Sequence, residues 1–210
     1  MKELIIDIQY FPSVILYENL YKFSNIVFDQ YESYQKMGFR NRCQLAGAEG
    51  VVELSVPLIK GRAQKTLVRD VRISNRQPWA SQHWKTIVSC YSRSPWFDHY
   101  RDDLAGLYQC RFDFLVDWDL ACFDWSVRVL GLKVGVKLTE GWRPEYPPNE
   151  ALDWRGKLKP AGRELGFGVG GNEPIRYRQV FEERTGFLQN LSILDLLFCE
   201  GRQAMGYLRG

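Results

Sequence analysis

The 210-residue chain is 45% hydrophobic and 25% charged, ordinary for a globular protein and long enough for one buried core. Disordered and membrane classes are therefore unfavoured, and a single domain over 1–210 is expected. Its 28 basic and 25 acidic residues leave a net charge of +3 and no basic run, so the cationic stripe of a nucleic-acid binder is missing, although a small anionic ligand remains compatible.

Leu4 to Ile8 is an apolar run of strand length, ended by Tyr10-Phe11-Pro12 because Pro12 supplies no ladder donor. Asp7 interrupts that run too early for a secretory leader, and no segment approaches about 18 uninterrupted apolar residues, so no membrane insertion and a cytoplasmic address are expected. Ser13 is placed to cap a helix carrying Val14, Ile15, Tyr17, Leu20 and Tyr21 at helical spacing. Asn25 to Gln30 follows as a strand, and a helical crossover joins parallel neighbours, so the opening reads as a parallel β-α-β unit. Val51 to Leu58 alternates as a half-buried strand, and Leu67 to Ile73 reads as another that could pair with it as a hairpin.

Helices are expected over Ala80–Ser92, Asp98–Tyr108 and Phe114–Leu130, the last stopped by Gly131, before a short strand over Lys133–Leu138. From Thr139 to Pro174 prolines and glycines scatter among charges, which predicts loop, either a lid or simply mobile. Leu191 to Gly201 is apolar round most of its circumference and must be a buried helix. These elements describe an α/β or α+β fold with a mixed sheet of about five strands, helices on its faces and a long Gly/Pro-rich excursion over 139–174.

The five cysteines are odd in number, widely spaced and without a C-x-x-C pair, which argues against a disulfide framework and a zinc site. Asp117, Asp119 and Asp124 spread around their helix and pair with no histidine, so no metal site is expected and no cofactor is indicated. Seven Trp, eleven Tyr and twelve Phe suit either a bulky core or a pocket with flat apolar walls. His83 falls about 90° from the centre of the stripe formed by Trp84, Ile87, Val88 and Tyr91, where it could face a cleft as a general acid or base, or bond a neighbouring carbonyl. Lys85, about 200° further round, is expected in solvent or paired with a carboxylate.

Arg40 and Arg42 present forked donors suited to a carboxylate or phosphate, with Asn41 between them; the alternative is an internal ion pair to Asp29 or Glu32. Cys43 beside them admits a Cys-His nucleophile. Asp195 is a candidate carboxylate, although its place three residues after Ser192 also suits capping. Gly166 to Gly171 satisfies G-x-G-x-x-G but lacks the strand before and helix after that a dinucleotide fingerprint needs.

Five blocks, in order, carry a resemblance: Tyr10-Phe11-Pro12, Arg40-Asn41-Arg42, His83-Trp84-Lys85, Ser94-Pro95-Trp96-Phe97 and Asn190 to Phe198. Together they resemble the WbqC-like protein family, and Gln179 to Glu182 with Gly186-Phe187 resembles its Bacteroidetes-type branch. Many members resemble His-Gln-Pro-Asn where this chain has Ile6-Asp7-Ile8-Gln9, so a role for that histidine would pass to Asp7 or Gln9. The resemblance brings an association with bacterial surface polysaccharides and no settled reaction. The leading expectation, motivated by the concentration of the family-matching Arg40, Asn41, Arg42 and His83 beside an aromatic-rich cleft, is a small-molecule group-transfer enzyme acting on an activated sugar or acyl precursor, with His83 catalytic and Arg40, Asn41, Arg42 and Asp195 binding substrate. The alternative is a non-catalytic binding or scaffold protein in a biosynthetic assembly. Oligomeric state is not indicated.

Overall fold

The computed structural model describes residues 3–20, 22–59, 66–158 and 174–209. The expected opening is present: β1 (Glu3–Ile6), α1 (Val14–Leu20) and β2 (Asn25–Phe28), with β1 and β2 parallel and Leu4 beside Ile26. β5 (Gly135–Leu138) adds to β2 and β6 (Ala151–Asp153) to β1, giving a parallel four-stranded sheet ordered β5-β2-β1-β6. A separate antiparallel hairpin pairs β3 (Arg42–Gly47) with β4 (Gly50–Ser55). The α/β class therefore stands, with the strands divided between two sheets.

Side chains alternate across a strand, and here the two faces differ. Leu4, Ile6, Ile26 and Phe28 enter the main core, whereas Ile5, Val27 and Ala151 form a small second cluster with Tyr146 packed against it. The main core is filled from α1, α2 (Trp79–Tyr91), α3 (Phe97–Gln109), α4 (Leu115–Leu130), α6 (Ile193–Glu200) and α7 (Ala204–Arg209); the short α5 (Glu182–Thr185) has no fully buried residue. Trp118 is fully buried against the rings of Tyr10, Phe11, Trp79, Tyr108 and Phe112. Truncating such a ring to alanine costs about 3–5 kcal/mol. Gly131, at φ 64°, ends α4 in the left-handed conformation that the sequence anticipates.

Four expectations need correction. Leu67–Ile73 is not a strand: Val68–Asp70 is a 3-10 turn, because the buried Val68 and Val71 lie three apart and the Val71 N–H bonds the Val68 carbonyl. Leu58 and Ile73 meet only as an isolated antiparallel bridge, and the hairpin partner of β4 is β3. β3 escapes a period-2 reading because Cys43 to Gly47 are buried without interruption. The Thr139–Pro174 excursion holds β6, whose three residues are too few to show a pattern. Finally, Ser13 precedes α1, but its buried hydroxyl has no partner among the described residues, and it instead bridges Ser192. The basic segment 60–65 and the glycine-rich segment 166–171 lie outside the described residues.

Candidate functional site

In an open parallel sheet, ligands bind beyond the carboxyl ends of the strands, where the chain leaves a central strand in opposite directions. Here that strand is β1, flanked by β2 on one side and β6 on the other. Alternation carries the face of Ile5 and Val27 on to Asp7 and Asp29, and both carboxylates are buried at that edge with Thr139, which follows β5. The face away from the main core thus ends in polar groups rather than in more core.

These groups hold one another. Asp29 accepts from the Thr139 hydroxyl at 3.1 Å, from the Tyr31 N–H at 2.9 Å and from Arg155 Nη1 at 2.7 Å. Arg155 also forks onto Asp153, at 3.0 Å from Nε and 2.6 Å from Nη2, and donates to the carbonyls of Arg143 and Pro144. One guanidinium thereby ties the 139–150 segment to β2 and β6. Asp7 accepts from the Gly156 N–H at 2.8 Å and from Gln9 Nε2 at 3.3 Å, while the buried Gln9 Oε1 has no partner among the described residues.

Arg40, 3% exposed, donates Nε and Nη2 to Glu32 Oε1 at 2.9 and 2.6 Å and lies 3.9 Å from Asp7. The internal ion pair anticipated between the arginine block and Glu32 is therefore made by Arg40. Burial pushes the Glu32 carboxyl up to about 7; Arg40 opposes this, and the charges of Asp7 and Asp29 add to it. Asp119 is fully buried near Arg40, neither of its oxygens has a hydrogen-bond partner among the described residues, and desolvation holds its carboxyl well above the usual range.

Above this cluster opens a cleft of about 470 Å³ lined by Glu32, Ser33, Gln35, Trp142, Pro144, Asp153, Arg155 and Lys157. Arg155 and Asp153 are spent on each other, whereas Glu32 Oε2 has no protein donor among the described residues. Trp142 stays 62% exposed at the cleft, offering a flat apolar face beside polar groups. The arrangement can bind a small polar molecule and exchange one proton with it near neutral pH. Among the described residues no three His, Cys, Asp or Glu side chains are placed to hold a metal ion.

The residues singled out in the sequence do not gather in one place. Arg40 lies beneath the cleft; Asn41 and Arg42 line a second concavity, with Ser55, on the other side of the 31–41 loop. His83 is 8% exposed and outside the lining of both concavities, its Nδ1 3.1 Å from the Tyr10 hydroxyl. Burial lowers its pKa to about 4, against a raising contribution from the Ser55 backbone, so it is neutral at pH 7. Lys85 is exposed. Cys43 is buried with its thiol pushed up by desolvation, which disfavours the thiolate a nucleophile needs.

Asp195 caps nothing. Ser192 caps α6 by accepting from the Leu194 N–H, while the fully buried Asp195 accepts from the hydroxyls of Tyr91 and Tyr177, both at 2.7 Å, and from Gln179 Nε2 at 3.1 Å. Sequence reasoning missed Asp153, Arg155 and Trp142, which sit in an unpatterned stretch, and treated Glu32 only as a salt-bridge partner. The departure at Asp7 and Gln9 from the wider motif was the one signal pointing to the end of β1.

No solved structure matches the chain. It is 26% identical, over 88% of its length and 87% of the relative's, to the uncharacterised protein Rv1507c of Mycobacterium tuberculosis. The model of the WbqC-like protein family matches residues 8–153, which begin at the carboxyl end of β1 and end with β6. That span takes in both strand ends flanking the central crevice, and the chain belongs to the WbqC-like protein family.

Proposed function

We propose that the protein is a small-molecule group-transfer enzyme whose reaction takes place in the cleft beyond the carboxyl ends of the parallel sheet. The observation that carries this reading is Glu32: a carboxyl lining the cleft, with one oxygen fixed by Arg40, the other without a donor among the described residues, and an affinity for protons matched to neutral pH. In the transfer, the Glu32 carboxylate takes the proton of an acceptor hydroxyl or amine as that atom bonds to the activated carbon of the donor. The donor's leaving group departs with the electrons of the broken bond. An activated sugar or acyl precursor of a surface glycan is the substrate class to try first.

Of the residues anticipated from the sequence, Arg40 acts here as a positioning residue for Glu32, and His83 and Asp195 act through the core. The test is a thermal-shift screen with nucleotide sugars and acyl thioesters, since a ligand of the native state raises its melting temperature, followed by turnover assays of each hit. Glu32→Gln should bind the hit but lose at least about 100-fold in turnover. Undiminished turnover would overturn the reading, and tight binding without turnover in the unaltered protein would favour a non-catalytic binding protein.

A further inference from the structure

The second concavity, about 250 Å³, lies across the 31–41 loop from the first: Glu32, Ser33 and Gln35 face one, and Tyr34, Lys36 and Met37 line the other. We infer that this second cleft is a separate subsite for the anionic group, phosphate or carboxylate, of a small molecule, gripped by Arg42 and Lys36. The sites differ in their chemistry. The lining of the first mixes Glu32 and Asp153 with Arg155 and Lys157, and its Arg155 guanidinium is spent on carboxylates and carbonyls of the protein, whereas the lining of the second holds Arg42 and Lys36 and no carboxylate.

Arg42 is fixed in place by its strand, standing opposite Ser55 in the β3–β4 ladder. Its side chain is 26% exposed and gives one Nη1 bond, 2.8 Å long, to Glu53, itself 36% exposed. The Arg42 Nε–H is shielded from solvent and has no acceptor among the described residues. A guanidinium with an unspent donor is under-satisfied by the protein, and an anion that draws its planar fork into the cleft supplies the missing acceptor. Lys36 is exposed and makes no ion pair among the described residues, so a second charge is available without breaking an existing contact.

The neighbouring polar groups hold the wall instead of competing for the ligand. Asn41 donates to the Val56 carbonyl at 3.0 Å and accepts from the Tyr34 hydroxyl at 2.9 Å, fixing the loop against β4. Met37, 66% exposed, supplies apolar surface beside the two cations, over the buried Tyr34 and Val56. The geometry suits a ligand with a charged end and a compact apolar body.

The inference stands apart from the reaction assigned to the first cleft, because binding is read directly. Isothermal titration of the full chain with inorganic pyrophosphate and, separately, with citrate should show binding of at least one. Pyrophosphate alone would identify a phosphate subsite, and citrate alone a carboxylate subsite. Arg42→Gln and Lys36→Gln should each weaken that binding about tenfold or more, the scale of one lost charge-assisted contact. Glu53→Gln, which removes the competing carboxylate, should strengthen it, and Glu32→Gln should leave it unchanged. Absence of binding by both anions, or equal binding by the Arg42 and Lys36 variants, would overturn the inference, whatever Glu32→Gln does to turnover.

Discussion

The resemblance and the reactive-looking cleft rest on different side chains. Tyr10, Phe11, Trp84, Phe97 and Phe198 belong to the main core or pack against it, and His83 sits among them, stacked on Tyr10 and edge-on to Trp79. Its role is read from its bonds: the Tyr10 hydroxyl meets both the His83 ring and the Tyr108 hydroxyl, the latter at 2.6 Å. His83→Ala should therefore cost about 1–3 kcal/mol in denaturant unfolding, the range for leaving a buried polar partner unsatisfied. A pH signature should accompany it. With a native pKa near 4 against an ordinary 6.5, the unfolded chain binds more protons between those values. The His83 contribution makes stability rise with pH across that window and is lost on acidification; His83→Ala should flatten the curve there.

Glu32 has the opposite sign. Its native pKa near 7 exceeds the ordinary 4.5, so the native state holds its proton longer, and its contribution falls as pH rises from about 4.5 to 7. Glu32→Gln should remove that fall, although it also leaves the buried Arg40 guanidinium without its paired carboxylate, so the test is the slope of stability against pH and not the stability at one pH.

Among the elements, α6 is held at both ends by contacts that a wheel diagram does not reveal. Asp195 joins it to Tyr91 on α2 and to Tyr177, and Trp96 N–H bonds the Phe198 carbonyl. Asp195→Ala leaves the protons of two buried tyrosine hydroxyls without their acceptor and should cost about 3 kcal/mol. At its C-terminus Gly201 has φ 53° and packs so closely on the Trp96 ring that any Cβ would collide with it. Gly201→Ala should lower the melting temperature far more than Gly131→Ala, where φ is 64° but the space is open and the cost is about 1 kcal/mol. Equal shifts in a thermal melt would show that backbone conformation alone, and not the Trp96 contact, decides.

Across the whole molecule, the legible parts were those with a local period. The helical stripe of Trp84, Ile87, Val88 and Tyr91 located α2 to within a residue of its observed Trp79–Tyr91 span, and the β-α-β opening followed from Leu4–Ile8, the Val14–Leu20 spacing and Asn25–Gln30. β3 and β6 were not legible, because a buried strand loses its alternation and a three-residue strand never shows it. The cleft was hidden for a related reason: Glu32, Asp153 and Arg155 are brought together by sheet order, and β6 pairs with a β1 far away in sequence, Ala151 beside Glu3. Arg40 and Arg42 are two residues apart yet separate, one turned under the first cleft and the other lining the second, because Arg42 has entered β3 and Arg40 has not.

The claim on which this account turns is that Glu32 is a proton-exchanging group at the ligand-binding cleft. It is tested most directly by a carbon-13 NMR titration of side-chain carboxyls, with Glu32→Gln assigning the resonance, with and without a ligand found by thermal shift. A midpoint near 7 that moves when the ligand binds is the predicted result. A midpoint near the ordinary 4.5, or one indifferent to the ligand, would contradict it.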